Sequence, residues 1–264
     1  HSGTMEATPT QVTGKVGSYA WDFTGSNFAT IDTLGSTFDN DWTVSVWIKP
    51  DAAVTAAQQA SGAWEPYWWG ISDPNASPNP HENDLTTYTD GNGEFAGEYG
   101  RNSEAGCYFQ PNNEPVVADT WFHVVVSWDE VANSQGGTLK YYVNDVETCS
   151  EQSNVSDSHT GEQFWLGTGK GYGTSKASSA IYDDFAVWGQ TLTPSQISDL
   201  YNGDAADTIS TNLVAYYDFE QDVSTTLQNQ TPPLIGSISD FDGTWVNDPT
   251  AGVVGISGTA YNFD

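Results

Sequence analysis

The sequence predicts an all-β protein, an antiparallel β-sandwich, and three features of the chain support this fold class. Residues 43–49 alternate strictly, with Val44, Val46 and Ile48 on one face, and Pro50 ends the run. Aromatic residues make up 13% of the chain and include 11 Trp, which favours strands over helices. Gly, Asn, Asp and Pro recur between short apolar segments, as expected for strands joined by turns.

Turns and loops divide the chain into its predicted strands. A hairpin is expected over residues 86–95, because Asp-Gly-Asn-Gly at 90–93 favours a tight turn. Residues 72–85 are too rich in Pro and Asn for regular structure and predict a long surface loop. The other predicted strands are residues 19–23, 28–31, 107–110, 121–128, 139–144, 164–166 and 180–188.

The last of these strands leads into a short predicted helix. Thr193 is placed to cap the helix N-terminus, and Pro194 occupies the first helical position. Asn-Gly at 202–203 ends the helix in the manner of a C-terminal cap. One apolar stripe is formed by Ile197, Leu200 and Tyr201.

Residues 180–203 resemble the closing element of laminin-G-like jelly rolls, which belong to the concanavalin A-like superfamily together with the pentraxins. That element is an apolar–Asp–Asp/Glu–apolar strand, an aromatic residue, a turn, and a small helix ending in Tyr. Further segments match in family order: AWDFTG at 20–25, WTVSVWIKP at 42–50, WFHVVVSW at 121–128 and LKYYVND at 139–145. The resemblance covers residues 12–203 and implies a concanavalin A-like jelly roll.

The sequence also predicts where the domains divide. Residues 1–7 are interpreted as a vector-derived leader, 8–210 as the jelly roll, and 211–264 as the opening strands of a following repeat. Residues 257–263 parallel residues 17–23 roughly 240 positions later, which indicates a monomeric module within a longer chain of tandem copies. An unpaired strand would expose open hydrogen-bonding groups, so we expect residues 213–219 to pair with the sheet of the first domain.

The charge of the chain is strongly negative. Against 35 acidic side chains there are 6 Lys and Arg, a formal net charge of −29. Such a surface repels phosphate backbones and anionic lipids, so nucleic acid and membrane partners are disfavoured. No apolar run approaches the ~20 residues that span a bilayer. Either adaptation to salty water or collection of calcium by carboxylates explains the acidity, and both indicate an extracellular or cell-surface setting.

Two cysteines, Cys107 and Cys149, fall in segments of strand character. A disulfide in an oxidising compartment and a pair of buried thiols are both open alternatives. The pair alone does not make a zinc site, because zinc requires four ligands at tighter spacing.

The sequence carries no enzyme signature that we recognise. The Glu-x-Asp-x-x-Glu strand of jelly-roll glucanases is missing, as are Gly-x-Ser-x-Gly and His-Glu-x-x-His. With 6 Lys and Arg, a lyase site driven by basic residues is also hard to assemble. The sequence therefore predicts a protein that is not an enzyme.

The resemblance implies a calcium ion near the rim of the sheet, held by acidic side chains of the loops and of the Asp-Asp strand. The matching residues here are Asp183 and Asp184, and Asp22 matches the Asp of the family's Phe-Asp-Gly turn, although Gly25 follows one position late. Calcium takes six to eight oxygen ligands. The alternative is that Asp183 accepts hydrogen bonds from backbone N–H groups inside the fold.

A glycan site is predicted in the region of residues 64–84. Aromatic rings stack on sugar rings, and carboxylate and amide groups bind hydroxyls. Because neighbouring strand residues face opposite ways, at most one of Trp68 and Trp69 can reach solvent. In the alternative interpretation these aromatic residues fill the sandwich interior. The predicted ligand-binding residues are Trp64, Tyr67, Trp68, Trp69, Asp73, Asn75, Asn79, His81, Glu82 and Asp84.

These features together predict an extracellular, non-catalytic recognition module from a large repetitive surface or adhesion protein. Its expected partner is a polysaccharide or glycan-bearing cell surface, bound with the assistance of Ca2+. A structural spacer repeat without ligand is the first alternative, and a divergent polysaccharide hydrolase or lyase is the second.

Overall fold

In the computed structural model the chain folds mainly into antiparallel strands that build two large sheets. The structure describes residues 3–5, 8–24, 28–31, 34–51, 67–72, 85–90, 93–99, 105–107, 115–130, 136–153, 163–168, 178–221, 226–227, 229–231, 250–255 and 258–262. The chain divides into two compact units, His1–Thr231 and Pro232–Asp264. The all-β prediction is confirmed.

In the residues that the structure describes, the first unit has sixteen strands and one α-helix. Helix α1 spans Pro194–Tyr201, and short 3-10 turns occupy Gly35–Asp39 and Ala206–Thr208. The strands are β1 (Gly3–Met5), β2 (Thr10–Thr13), β3 (Tyr19–Thr24), β4 (Ala29–Ile31), β5 (Trp42–Pro50), β6 (Tyr67–Ser72), β7 (Leu85–Thr89), β8 (Phe95–Tyr99), β9 (Ala105–Cys107), β10 (Phe122–Glu130), β11 (Gly137–Val143), β12 (Val146–Ser153), β13 (Gln163–Leu166), β14 (Ser179–Trp188), β15 (Leu213–Tyr217) and β16 (Thr226–Leu227).

These strands form two sheets of eight, which we call sheet A and sheet B. Sheet A has the order β16-β1-β4-β13-β6-β7-β8-β9, and sheet B has the order β12-β11-β10-β5-β14-β3-β2, with β15 also paired to β14. All described strand pairs are antiparallel. Consecutive strands pair in β6 to β9 and in β10 to β12, whereas pairs such as β4 with β13 and β5 with β14 join strands that are far apart in sequence, as expected for a jelly roll.

One apolar core fills the space between the sheets. Val44, Val46 and Ile48 are fully buried in it, as the alternation in β5 predicts. Much of the core is aromatic, so the high aromatic content serves packing before any other role. Its largest fully buried side chains include Trp21, Phe23, Phe38, Trp42, Trp68, Trp69, Phe95, Tyr141, Phe164, Tyr182 and Tyr217.

Helix α1 covers part of the outer face of sheet B. Thr193 caps it as predicted: its side chain accepts from the Gln196 backbone N–H, and the Gln196 side chain accepts from the Thr193 backbone N–H. Ile197 and Leu200 are buried in a second apolar cluster with Trp188. Within the described part of the chain, no helix is long and apolar enough to cross a membrane.

Strand β14 changes its partner halfway along one edge. Its first half pairs with β3 and its second half with β15, while β5 runs along the other edge. Asp183 and Asp184 lie at the changeover, where the register to β5 is irregular and Asp184 has a φ of 48°. The two carboxylates therefore lie where three segments of the chain meet.

Both segments outside the predicted jelly roll contribute strands to the first compact unit. Gly3–Met5 forms β1 between β4 and β16, and Met5 is buried. Leu213–Tyr217 forms β15 on the edge of β14. The assignment of residues 1–7 to a leader and of 211–264 to a following repeat stays a prediction.

The second unit is described as a hairpin of β17 (Thr250–Gly255) and β18 (Gly258–Asn262). Thr250 pairs with Asn262 and Ala251 with Tyr261. In the first unit Thr10 pairs with Asp22, and Gln11 with Trp21. These two pairs match at the spacing of the sequence repeat, whereas β17 is shifted by one residue from Val253 onward.

A disulfide joins Cys107 to Cys149, whose Cα atoms are 5.7 Å apart. Cys107 lies in β9, the last strand of sheet A, and Cys149 lies in β12, the last strand of sheet B. The bond therefore closes one edge of the sandwich covalently.

Candidate functional site

Three of the residues predicted to bind a ligand are described: Tyr67, Trp68 and Trp69. Tyr67 is half-buried, whereas Trp68 and Trp69 are both fully buried. The remaining predictions lie outside the described residues; they are Trp64, Asp73, Asn75, Asn79, His81, Glu82 and Asp84.

The expectation that Trp68 and Trp69 face opposite ways is wrong. Tyr67 pairs with Tyr88 and Trp69 with Thr87, so β6 has one extra residue between these pairs. Such a β-bulge interrupts the alternation of side chains, and both tryptophans enter the core. Trp68 Nε1 donates to Thr89 Oγ1 at 3.1 Å, and the Trp69 ring stacks on that of Phe164 at 5.4 Å. Neither ring is available to a ligand on the surface.

A different set of residues lines the outer face of sheet A. Their chain neighbours Phe164, Ile71, Leu85 and Tyr99 belong to the core, so they themselves point away from it. The strand registers place them in one line across the sheet, which we call the outer row. In spatial order the outer row consists of Thr30, Trp165, Gly70, Thr86, Glu98 and Gly106.

Exposure differs along the outer row. Trp165 and Glu98 are half-buried, whereas Gly70 and Thr86 between them are buried. A Cβ atom on Gly70 would lie 2.9 Å from the Leu85 carbonyl oxygen and 3.0 Å from Thr86 Cγ2, so no side chain fits there. Because strands are ~4.8 Å apart, Trp165 and Glu98 are separated by roughly 14 Å.

Aromatic side chains flank the outer row. Tyr88 lies two residues beyond Thr86 on the same face, and its ring is 5.6 Å from that of Tyr67. The Tyr88 hydroxyl donates to Glu98 Oε1 at 2.8 Å, which orients the carboxylate. The Trp165 ring is 5.7 Å from that of Phe28.

The indole N–H group of Trp165 is a further feature of the outer row. Its Nε1 atom is buried and has no hydrogen-bond partner among the described residues. A buried N–H without an acceptor loses its interaction with water and gains nothing in return. A ligand oxygen that accepts from this N–H would remove that cost.

The carboxylates predicted to bind calcium are already occupied by donors of the protein. Asp183 Oδ2 accepts from the backbone N–H groups of Lys15 at 2.6 Å and Val16 at 2.8 Å, and Oδ1 accepts from that of Asp184 at 2.9 Å. Asp184 Oδ1 accepts from the Tyr216 hydroxyl at 2.7 Å. Both residues are buried.

This geometry does not fit a calcium site at Asp183 and Asp184. Calcium would need the same oxygen lone pairs together with several further oxygen ligands. The described residues contain no group of three or more His, Cys, Asp or Glu that could hold a metal ion. Asp22 is half-buried, and its pKa is raised by burial and by Asp51 against the opposing effect of Lys49. A calcium requirement stays a prediction from the sequence.

Burial of Asp184 makes the stability of the protein depend on pH. Burial raises its pKa to about 7, although the Tyr216 hydroxyl opposes the shift. Because the native pKa exceeds the unfolded one, this group stabilises the fold fully below about pH 4, and that contribution is lost as the pH rises through 7. The free energy of unfolding of the wild type should decrease as the pH rises from 5 to 8. We expect this decrease to be smaller by about 2 kcal/mol in Asp184→Asn.

Denaturant titrations at both pH values measure this difference. Asp199→Asn serves as the control, because it removes one negative charge from an exposed position on α1. Equal pH dependence of the wild type and Asp184→Asn would contradict the prediction.

Several solved structures share this fold with the chain at low sequence identity. Domain 4 of AbnA, an extracellular GH43 arabinanase from Geobacillus stearothermophilus, solved in complex with arabinotriose, is 21% identical with a TM-score of 0.50; the match covers 75% of this chain and 87% of that domain. The binding domain of Paraclostridial Mosquitocidal Protein 1 is 14% identical with a TM-score of 0.52, over 75% of this chain and 47% of that one.

The binding domain of botulinum neurotoxin serotype D is 12% identical with a TM-score of 0.52, over 76% of this chain and 47% of that one. This chain therefore spans about half the length of the two toxin binding domains. No curated protein sequence matches the chain. At such identities the likenesses show the fold.

The family assignment comes from the sequence itself. The laminin-G-like profile described as "Concanavalin A-like lectin/glucanases superfamily" matches residues 23–198. That segment runs from β3 into helix α1 and includes both halves of the sandwich. The chain belongs to the concanavalin A-like lectin/glucanase superfamily.

Proposed function

We propose that this protein is a non-catalytic carbohydrate-binding module whose ligand lies along the outer row of sheet A. The observation that carries the proposal is the combination, on one face, of a half-buried Trp165 ring with an unpartnered N–H and an oriented Glu98 carboxylate. Aromatic rings stack on sugar faces, and fixed polar groups at the rim bind hydroxyls.

The dimensions of the outer row suit a short oligosaccharide. Within it, Trp165 and Glu98 are separated by roughly 14 Å across a floor without a side chain at Gly70. The floor and the flanking tyrosines come from strands of one sheet, so the site is rigid before the ligand arrives. Preorganisation of this kind reduces the entropy lost on binding.

Known relatives support a carbohydrate ligand. The superfamily takes its description from lectins and glucanases. The arabinanase domain with the same fold was solved in complex with arabinotriose, and other neighbours are the binding domains of toxins. For this chain, carbohydrate binding by the same fold is the function that agrees with the outer row.

The chemistry of the outer row favours binding over hydrolysis. Glycoside hydrolysis uses two carboxyl groups about 5–9.5 Å apart on either side of the scissile bond. In the described strands of sheet A, Glu98 is the one acidic residue. A single carboxylate can accept hydrogen bonds from a sugar but cannot supply both the acid and the base.

We also propose that the protein is extracellular and that it is one module of a longer, repetitive surface protein. A disulfide between two sheet edges suits an oxidising compartment. The two matching residue pairs at the start of each hairpin support tandem copies. We further propose that calcium assists glycan binding, and we assign no residues as ligands of the ion.

Trp165→Ala tests the site. We expect it to weaken binding to the glycan that the wild type prefers by about tenfold or more, equivalent to about 1.4 kcal/mol, because both the stacking surface and the N–H donor are lost. Affinity electrophoresis against a panel of polysaccharides would identify the glycan, and calorimetry would then give Kd, in calcium and in chelator.

Tyr201→Ala is the matched control, since it removes a half-exposed ring from the other side of the sandwich. Unchanged affinity of Trp165→Ala would exclude the outer row as the site. Failure of the wild type to bind any glycan would favour the spacer alternative. Equal affinity in calcium and in chelator would contradict the calcium prediction.

A further inference from the structure

The disulfide lies on the inner face of two strands whose outer face carries part of the outer row. Given the proposed function, on which this inference rests, we propose that the Cys107–Cys149 bond positions Glu98 for the glycan. Glycan affinity then depends on whether this bond is oxidised or reduced.

The register of the last two strands of sheet A places Cys107 next to the outer row. Glu98 in β8 pairs with Gly106 in β9, and the neighbouring Gly97 pairs with Cys107. Cys107 belongs to the main core. Because neighbouring strand residues face opposite ways, its partner Gly97 also faces the core, whereas Glu98 faces outward. The bond and the carboxylate therefore lie on opposite faces of the same pair of strands.

Four residues form a closed link between the two sheets at this point. Within sheet A Gly97 pairs with Cys107, and within sheet B Tyr141 pairs with Cys149. Between the sheets, the disulfide joins the two cysteines. The Tyr141 ring packs directly on Gly97, where an added Cβ atom would lie 2.8 Å from Tyr141 Cε2. The covalent bond thus holds β9 from the inside, and the aromatic ring holds β8.

The described backbone pairing of β9 is short. The strand is three residues long, it is the last strand of sheet A, and its described pairs are all with β8. Segments with so little backbone pairing open locally at a low free-energy cost. When the bond is reduced, β9 loses its covalent anchor and separates more readily from β8. Glu98 then lies on an edge strand.

Loosening of β9 reaches the glycan through Glu98. The Tyr88 hydroxyl donates to Glu98 Oε1 at 2.8 Å and orients the carboxylate, while the pairing with β9 steadies the backbone beneath it. Binding groups must be held to within about 0.5 Å of their bound geometry, and ordering them during binding costs affinity. Trp165 lies in β13, three strands away from β8, and keeps its position.

Reduction of the bond needs an external thiol compound. A dithiol attacks one sulfur of the bond and releases the other, and its second thiol then closes the dithiol into a cyclic disulfide. The dithiol is oxidised by two electrons, and the two cysteines take up these electrons with two protons and become thiols. In an oxidising compartment the bond persists, and with it the tighter binding.

The test measures Kd for the glycan that the wild type binds, at a temperature at which circular dichroism shows every variant to be folded. We expect the double variant Cys107→Ser, Cys149→Ser to bind about fivefold more weakly than the oxidised wild type, because Glu98 is less well preorganised. Treatment of the wild type with dithiothreitol should have the same effect, and thiol titration measures how far the bond is reduced.

A double-mutant cycle with Glu98→Ala separates positioning of the carboxylate from a general loss of stability. If the bond acts through Glu98, its removal should change Kd by less than about twofold in the Glu98→Ala background. In the Trp165→Phe background the full effect of removing the bond should remain.

Gly97→Ala tests the same link while the disulfide stays intact. The added Cβ atom meets the Tyr141 ring, so β8 has to shift, and we expect binding to weaken about fivefold. Gly189→Ala is the matched control, because the nearest atom to its Cβ would be Val214 Cγ2 at 3.7 Å, an ordinary contact. Its affinity should equal that of the wild type.

The outcomes separate this inference from the proposed function. Unchanged affinity in the double variant or in Gly97→Ala overturns the inference, and so does an equal effect of the bond with and without the Glu98 side chain. In each of these cases, weaker binding by Trp165→Ala leaves the proposed function standing. Absence of binding to any glycan overturns both.

Discussion

Removal of residues 212–264 is expected to abolish the cooperative unfolding of the protein. The deletion takes away β15 together with Phe219, which follows it. Ala215, Tyr217 and Phe219 are fully buried in the main core. Phe219 packs 5.5 Å from Trp21, and Tyr217 stacks 5.7 Å from Phe185.

The energetic loss is large compared with the stability of a typical domain. Truncating a buried aromatic side chain costs about 3–5 kcal/mol, and two fully buried ones are lost here. A total stability of about 5–15 kcal/mol does not tolerate this loss together with an open edge on β14. Polar contacts disappear as well, since Glu220 Oε1 accepts from the backbone N–H groups of Ser18 at 2.7 Å and Tyr19 at 2.9 Å.

A shorter deletion supplies the control. Removal of residues 232–264 leaves every strand of sheets A and B in place, because β17 and β18 form a sheet of their own. Thermal melts followed by circular dichroism should show a cooperative transition for this variant and none for the longer deletion. An unchanged melting temperature after the longer deletion would show that the sandwich is stable without β15.

The fold class and several local elements could be predicted because they depend on neighbours in sequence. The alternation of residues 43–49 and the N-cap at Thr193 are local patterns, and both are confirmed. The sequence predicts a strand at Cys149 but no bounds for β12, because most of the side chains of this strand are polar and exposed at the end of sheet B. An edge strand of this kind lacks the apolar alternation on which the prediction relies.

The candidate site could not be predicted in the same way. Trp165, Glu98 and Gly70 come from three separate strands, and only the register of sheet A brings them into one row. The dense run of aromatic residues predicts a glycan site in the region of residues 64–84 instead. A bulge, however, directs Trp68 and Trp69 into the core. One part of the site could be predicted from the sequence. The alternation in the predicted hairpin places Thr86 and Tyr88 on a common face.

The Asp-Asp strand illustrates how burial decides between two local interpretations. The sequence leaves Asp183 open as a calcium ligand or as an acceptor of backbone hydrogen bonds. In the structure, three backbone N–H groups from two segments converge on its oxygens. Buried polar groups must be satisfied, and a position where β14 changes partners leaves backbone donors that need an acceptor.

Loss of the disulfide is expected to lower the stability of the native protein by about 4 kcal/mol, because the bond closes a long loop and restricts the unfolded chain. The two cysteines are separated by 42 residues and lie on the end strands of opposite sheets. Without the bond, no covalent link joins the described parts of β9 and β12. For a protein of this size, the melting temperature should fall by roughly 8–16 °C.

The measurement compares the wild type with the double variant Cys107→Ser, Cys149→Ser in thermal melts with and without reductant. Reductant should lower the melting temperature of the wild type towards that of the double variant and leave the double variant unchanged. A double variant as stable as the oxidised wild type would mean that packing alone holds the edge. In that case the disulfide would form in an oxidising compartment without stabilising the fold. Residual structure would already restrict the unfolded chain, so the bond would remove little further entropy from it.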